Sequence, residues 1–462
     1  MKVALIQLPH FYGKGLSRSP NIYPYGLGYI SNALKEEGID HEAVDLWAEN
    51  LSVEDSLQKK NFEKYDIFAI SAYITQYRYL KEFSLELKKR YPDVPIICGG
   101  PGPTFSPHII LPKTGVDICV LSEGEVTIVE LLQNLNNLGS VKGIVFIQDG
   151  EIKRTAPRTL IPDLDKLPFP NWDTFNMNDY IKVRGEQVVS DDNPEEVRVA
   201  NVIAGRGCPY QCHYCSKTFD GYRLRSIDNV IAEIVELIEK YKIKKIGFND
   251  ELFIVNKKRI LEFCEKLEPL NIKWDCQGRI NQVDEEILIK MKKAGCVSVG
   301  YGVESVSQHI LDKMNKKIKV ENIVPVIKMT KKVGMNPLIQ YMYGYPGEND
   351  TSIKNTVKFF KEIDSLYLGF STTAIPGTKL YDDCLSKGII KDEEDYILRL
   401  DSGYNVEGSL INMTDFSDEQ FVQKKRLLKL RVNHNYYIKR PIQYAAYVKK
   451  LTLAALKKVM AR

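Results

Sequence analysis

Short apolar runs alternating with amphipathic helical spacing set the tightest limit on what this 462-residue chain can fold into. Val3 to Leu8 reads as a strand, and Leu27 to Glu37 has helix spacing that stops at Gly38. Ile67 to Ser71 is a buried strand, with a helix after it to about Arg90. Val94 to Cys98 is a strand ending in Gly99-Gly100-Pro101, Ile118 to Leu121 is another, and Val126 to Leu135 is a helix. Strands this uniformly apolar are covered on both faces, so the rhythm predicts a parallel, doubly wound α/β sheet. Such sheets bind ligands at the carboxyl ends of their strands.

Four prolines between Pro157 and Pro170 then break regular pairing and mark an extended linker. Ser190 to Glu196 reads as a polar loop. A second βα series begins at Val199. Its candidate strands are Val199–Ala204, Lys245–Phe248, Ile272–Cys276, Cys296–Tyr301, Leu338–Tyr343 and Tyr367–Thr372. Helical patterns lie between them, over Ile227–Tyr241, Lys257–Leu267, Asp284–Ala294, Val320–Val333 and Ser352–Ile363. Six such units predict a partial (β/α)₆ barrel or a second open sheet, with chemistry at the carboxyl ends of the strands. The last sixty residues read as mainly helical and basic. The expected division is 1–155 for the first domain, 156–196 for the linker, 197–395 for the barrel and 396–462 for the helical end.

The formal charge of +4 does not call for nucleic acid or acidic lipid as a partner. No apolar run approaches the roughly 20 residues that span a bilayer, and no signal-peptide pattern opens the chain. A cytoplasmic enzyme is the expectation. Of nine cysteines, Cys98, Cys119, Cys264, Cys276, Cys296 and Cys384 are scattered, mostly in apolar patterns where a thiol packs as a small hydrophobe. The other three stand within eight residues, and in a reducing compartment that points to metal ligation before disulfides.

Those three belong to Gly205-Arg206-Gly207-Cys208-Pro209-Tyr210-Gln211-Cys212-His213-Tyr214-Cys215, directly after the first strand of the second series. A C-x₃-C-x₂-C loop lets Cys208, Cys212 and Cys215 wrap one cluster. Cubane iron–sulfur clusters usually take four cysteines, so three leave one iron open to a cofactor or substrate. Zinc prefers C-x₂-C pairs supplied from two places. His213 as its fourth ligand would be strained, because it directly follows Cys212.

The loop, with Tyr214 in its aromatic position, resembles the signature of the radical S-adenosylmethionine (SAM) superfamily. The resemblance implies a [4Fe–4S] cluster that chelates SAM and reduces it to a 5′-deoxyadenosyl radical. It also implies roles at the other strand ends. Asp250 and Glu251, after the second strand, would face the SAM amino group, where an anion suits an ammonium. Gln277 and Arg279 end the third strand. Glu304 and Ser305 end the fourth, in a segment like the one that contacts SAM's ribose and carboxylate. Gly344 opens a turn like the family's adenine turn, and Ile375-Pro376-Gly377-Thr378 ends the sixth strand.

The first half, joined to this barrel, resembles the cobalamin-binding domain of the B12-dependent radical SAM class, so that the likeness covers residues 1–390. Pro24-Tyr25-Gly26-Leu27-Gly28-Tyr29, Glu123-Gly124-Glu125 and Leu164 to Pro170 follow that class. Ser71, Gly99 and Gly100 match the turns that line the cobalamin nucleotide tail. B12 folds with a histidine below cobalt carry D-x-H-x-x-G; here His10 and Gly13 are in place, but Leu8 replaces the Asp that orients the imidazole. His10 as a cobalt ligand therefore stands against His10 as an ordinary loop residue, with cobalamin held without a protein ligand or with a domain that has lost cobalamin and serves as scaffold or substrate platform. Pro441 to Arg462 reads as a basic amphipathic helix, either packed across the barrel or touching anionic lipid.

The reading that follows is a cobalamin-dependent methyltransferase acting on an unactivated carbon, or phosphorus, of a small-molecule substrate. It would take electrons from a donor such as flavodoxin or ferredoxin. A radical SAM cyclase, oxidase or rearrangement enzyme of the same architecture is the alternative. A non-catalytic iron–sulfur or corrinoid carrier is a third, and it predicts no 5′-deoxyadenosine.

Overall fold

The computed structural model describes residues 1–9, 22–181, 198–219, 221–367, 369–403 and 410–441. His10 and Gly13, the Ser190–Glu196 loop and the end helix after Pro441 lie outside them. The first sheet contains β1 (Lys2–Gln7), β2 (Asp40–Asp45), β3 (Ile67–Ser71), β4 (Ile96–Gly99), β5 (Ile118–Val120), β6 (Ile144–Gln148) and β7 (Glu151–Arg154). Their order is β2-β1-β3-β4-β5-β6-β7. The first five are parallel, and β6 and β7 extend the edge antiparallel. The order reverses between β1 and β3, which is where doubly wound sheets open a ligand crevice. Two features escape the apolar pattern. β2 is a polar edge strand with only Val44 buried. β6 and β7 form a hairpin on Asp149-Gly150, both at positive φ, a turn pair that itself signals a hairpin.

The second sheet is entirely parallel. It contains β8 (Val199–Val202), β11 (Lys245–Phe248), β12 (Lys273–Gly278), β13 (Cys296–Glu304), β14 (Asn336–Tyr343) and β15 (Phe370–Ser371), in the order β15-β14-β13-β12-β11-β8. β8 and β15 are its edges, and the six parallel strands form the partial (β/α)₆ barrel. The helices between strands begin at side-chain caps: Ser226, Asn256, Asp284 and Asn349 each accept from a backbone N–H of the first turn. Phe248, Phe253, Phe263 and Trp274 fill the space behind β11 and β12, with Phe248 stacked on Phe253 at 4.3 Å. Trp274 is fully buried, and its indole N–H donates to the Ala294 carbonyl at 2.8 Å.

β9 (Gly205–Gly207) and β10 (Tyr222–Leu224) form a small antiparallel pair outside both sheets. After the barrel, the helix Glu393–Gly403 returns to the first domain. There Glu394 pairs with Lys81 and accepts from the Tyr77 hydroxyl, and the Arg78 guanidinium donates to the Leu398 carbonyl. No described helix is long and apolar enough to cross a membrane.

Candidate active site

The cysteine loop is the connection of the β9–β10 hairpin. Gly205 and Gly207 make that hairpin possible. A Cβ on Gly205 would meet Leu224 and the Arg223 carbonyl within 3 Å, and one on Gly207, at φ +81, would stand 2.3 Å from the Gly221 carbonyl oxygen. The loop is then stapled to the segment after β13. The His213 amide donates to the Met314 carbonyl at 3.0 Å, and Asn315 Nδ2 donates to the Gln211 carbonyl at 2.7 Å. His213 Nδ1 donates to the Lys313 carbonyl at 2.9 Å, which gives the imidazole a structural partner. Lys217 Nζ donates to the Cys208 carbonyl at 3.1 Å.

Cys208 and Cys212 are half-buried and Cys215 opens to the site, whereas the six scattered cysteines are buried. Burial raises the Cys208 thiol, and the negative charge of Glu251 adds to it. Burial, with Glu251 and the other two cysteines, pushes the Cys215 thiol up to about 12. Cys208 and Cys215 thus both feel Glu251, and a centre that binds thiolates would reverse their shifts. Among the described residues, no three Cys, His, Asp or Glu side chains close on a single ion.

The strand-end residues divide. Asp250 is buried; its Oδ2 accepts from the Ala204 amide at 3.1 Å, and its Oδ1 has no partner. Burial raises its pKa to about 7. Glu251 is exposed to the site and is the carboxylate felt by Cys208 and Cys215. Gln277 Oε1 accepts from Gln340 Nε2 at 3.0 Å over Gly300, where a Cβ would collide with the Gln277 amide at 2.6 Å.

Glu304 is buried at φ +61, and its Oε1 lies 3.2 Å from Lys316 Nζ, which donates to the Tyr214 hydroxyl at 2.9 Å. Gly302 leaves room for that pair, because a Cβ there would stand 2.6 Å from Glu304 Oε1. Arg279 is buried against the Tyr210 ring, 3.6 Å from its centre, with Nη1 3.8 Å from Cys212 Sγ.

Ser305 Oγ accepts from the Ser307 amide at 3.2 Å and shapes its own turn. Gly344, at φ +89, donates its amide to Glu348 at 2.5 Å, and a Cβ there would meet the Phe421 ring at 2.7 Å. Its bareness therefore serves the packing of the helix Asp418–Tyr437. Thr378, after β15, caps the helix Lys379–Ser386.

A cavity of about 620 Å³ joins the two domains. Gln7, Ser71, Gly99 and Gly100 line it from the first sheet, and Gly205, Arg206, Asp250 and Glu251 from the barrel. A Cβ on Gly99 would meet only Val120, at 3.8 Å, whereas one on Gly100, at φ +101, would press on the Ala72 carbonyl at 3.0 Å. Leu8, at the motif position of the missing Asp, is fully buried. Below the cavity, Arg206 donates to Glu123 at 2.7 Å and to Glu125 at 2.6 Å, and Arg223 donates to Glu123 at 2.9 Å. Arg206, Arg223, Lys313, Asn315, Lys316 and Gln340 carry no local sequence signal, since each acts on residues far away in the chain.

This architecture, a B12-type crevice facing the cysteine-bearing mouth of a half-barrel, defines a class that comparison with known proteins identifies. Residues 202–360 match the radical SAM superfamily model and residues 15–132 the B12 binding domain model. The chain is 31% identical over 378 residues, 79% of each chain, to an uncharacterized methyltransferase of Pyrococcus horikoshii. It is 28% identical over 413 residues to the anaerobic magnesium-protoporphyrin IX monomethyl ester cyclase of Rubrivivax gelatinosus, covering 86% of this chain and 72% of that one. The fold is shared with the radical SAM methyltransferase TsrM from Kitasatospora setae, at a TM-score of 0.65 and 16% identity over 84% of this chain and 75% of that one. The chain belongs to the radical SAM superfamily, in the group that carries an N-terminal B12-binding domain.

Proposed function

We propose that this enzyme cleaves SAM reductively and, with cobalamin, methylates an unactivated carbon or phosphorus of a small-molecule substrate. One observation carries the reading: a single cavity is walled on one side by the B12-type strand ends and on the other by the barrel mouth beside the cysteines. In this reading Cys208, Cys212 and Cys215 hold a [4Fe–4S] cluster, and Ser71, Gly99 and Gly100 border the corrinoid. When bound, the cluster supplies the electron and the open iron for SAM, and the corrinoid supplies a methyl carrier.

The chain's own groups do the rest. Glu251 meets the SAM ammonium, and the Lys316–Glu304 pair holds Tyr214 and the cysteine loop against the bound SAM. Gln277 offers its amide and Arg279 braces the loop. Asp250, buried in the cavity wall, has one carboxyl oxygen without a partner. The buried Arg206–Glu123–Arg223 network closes the floor and keeps water from the radical. The domain division at 1–155, 156–196, 197–395 and 396–462 belongs to the same reading. It is supported by β7 ending at Arg154 and β8 beginning at Val199. Free thiols throughout suit a reducing cytoplasm and a flavodoxin- or ferredoxin-type donor.

The likeness to a cyclase favours one second reading, radical chemistry of the same architecture without methyl transfer. Anaerobic incubation of the reconstituted enzyme with methyl-labelled SAM, reductant and candidate acceptors separates the two. Labelled product together with 5′-deoxyadenosine is expected. 5′-Deoxyadenosine with no label in any product favours the second reading, and absence of 5′-deoxyadenosine sinks both.

A further inference from the structure

Arg279 holds a buried positive charge that no acid among the described residues answers. Its residue is 6% exposed, and among the described residues no carboxylate lies within ion-pair distance of it. The neighbouring cation, Lys316, is answered by Glu304 at 3.2 Å. Arg279 instead lies on the Tyr210 ring, donates Nη2 to the Lys316 carbonyl, and places Nη1 3.8 Å from Cys212 Sγ. Its Nε is buried without a partner. A guanidinium taken out of water is costly unless an anion compensates it. The anion available here is the thiolate of Cys212 and the cluster it would ligate.

We propose that Arg279 raises the reduction potential of the cluster by donating a hydrogen bond to the Cys212 sulfur. The inference rests on the cluster reading given above. One electron from an external donor of the flavodoxin or ferredoxin class makes the site more negative by one charge, with no bond made or broken. An N–H donor to a ligand sulfur and a nearby buried cation both favour that more negative state. SAM reduction demands a strongly reducing cluster, so the chain balances ease of charging against driving force, and Arg279 sets the balance.

The test uses full-length, anaerobically reconstituted protein without SAM. Iron and sulfide content and an EPR-monitored potentiometric titration are measured for wild type, Arg279→Gln and Arg279→Lys. Wild-type protein that takes up no cluster refutes the cluster reading itself. With wild type loaded, Arg279→Gln is expected to load fully. Its reduced-to-oxidised ratio at the wild-type midpoint should fall about tenfold, a shift of about 59 mV for one electron. Arg279→Lys, which keeps the charge but loses the fork, should fall about threefold. A fully loaded Arg279→Gln at the wild-type potential overturns the proposal. If Arg279→Gln fails to load, Arg279→Lys decides by the same criterion. Failure of both to load makes Arg279 a scaffold of the loop and the proposal falls.

Discussion

Glu123→Gln should loosen the join between the two domains more than any surface substitution can. The Glu123 side chain is 4% exposed and receives both Arg206, at 2.7 Å, and Arg223, at 2.9 Å. Its second oxygen also accepts from the Ile161 amide of the linker at 2.7 Å. Removing one partner of a buried ion pair costs about 3–5 kcal/mol, because the remaining charge stays buried without compensation. Arg206 keeps Glu125 at 2.6 Å, and Arg223 keeps the Ile161 carbonyl at 2.5 Å and the Phe219 ring, 5.8 Å from its guanidinium carbon. Half the compensation survives, so the lower end applies, about 3 kcal/mol. For a cooperative unit the size of the first domain, that lowers Tm by about 6–12 °C. Thermal unfolding followed by circular dichroism, on wild type, Glu123→Gln, Arg206→Met and the double variant, measures both the loss and the coupling. A Glu123→Gln loss under about 0.5 kcal/mol, the range of an exposed ion pair, would refute the buried-network argument.

Cys208, Cys212 and Cys215 replaced together by Ala should abolish 5′-deoxyadenosine formation; residual production at wild-type rate would remove the site from the loop. Gly302→Ala should raise KM for SAM by about tenfold at near-native stability, since the flexible ends of Glu304 and Lys316 must move away; an unchanged KM would free that pair from SAM binding. Gly344→Ala should cost about 2–4 kcal/mol in urea denaturation, because it combines positive φ with collision against the Phe421 ring. Glu348 is buried, and burial raises its pKa to about 7. Its folded-state pKa lies above the unfolded value, so its contribution is present below about pH 4 and lost as pH rises through about 7. Against Glu348→Gln, wild type should therefore lose about 3 kcal/mol of stability across that window. Parallel pH–stability curves would exclude the shift.

Much of the architecture was written locally. Ile67–Ser71 and Lys245–Phe248 are strands at the bounds their apolar runs suggest, and Ile227–Tyr241 and Lys257–Leu267 are helices from cap to stop. Apolar period and capping chemistry act within a few residues, so one segment suffices to read them. β2 escaped because a polar edge strand buries almost nothing, and the β6–β7 hairpin escaped although Asp149-Gly150 announced it. The cysteine spacing marks the candidate centre for the same local reason, since one loop carries all three thiols.

The tertiary structure alone decided what surrounds those sulfurs. Only the fold separates Glu251, which faces them, from Asp250, which is turned to the Ala204 amide. Only the fold assigns Gly344 to the packing of a helix some seventy residues later. Lys316 and Arg279 reach the cysteine loop, and Glu123 reaches Arg206, across sequence separations of 102, 67 and 83 residues. Spacing along a chain carries no trace of such pairs. They exist because parallel strands bring distant segments to the same end of a sheet, and because a buried charge there must find its partner in space.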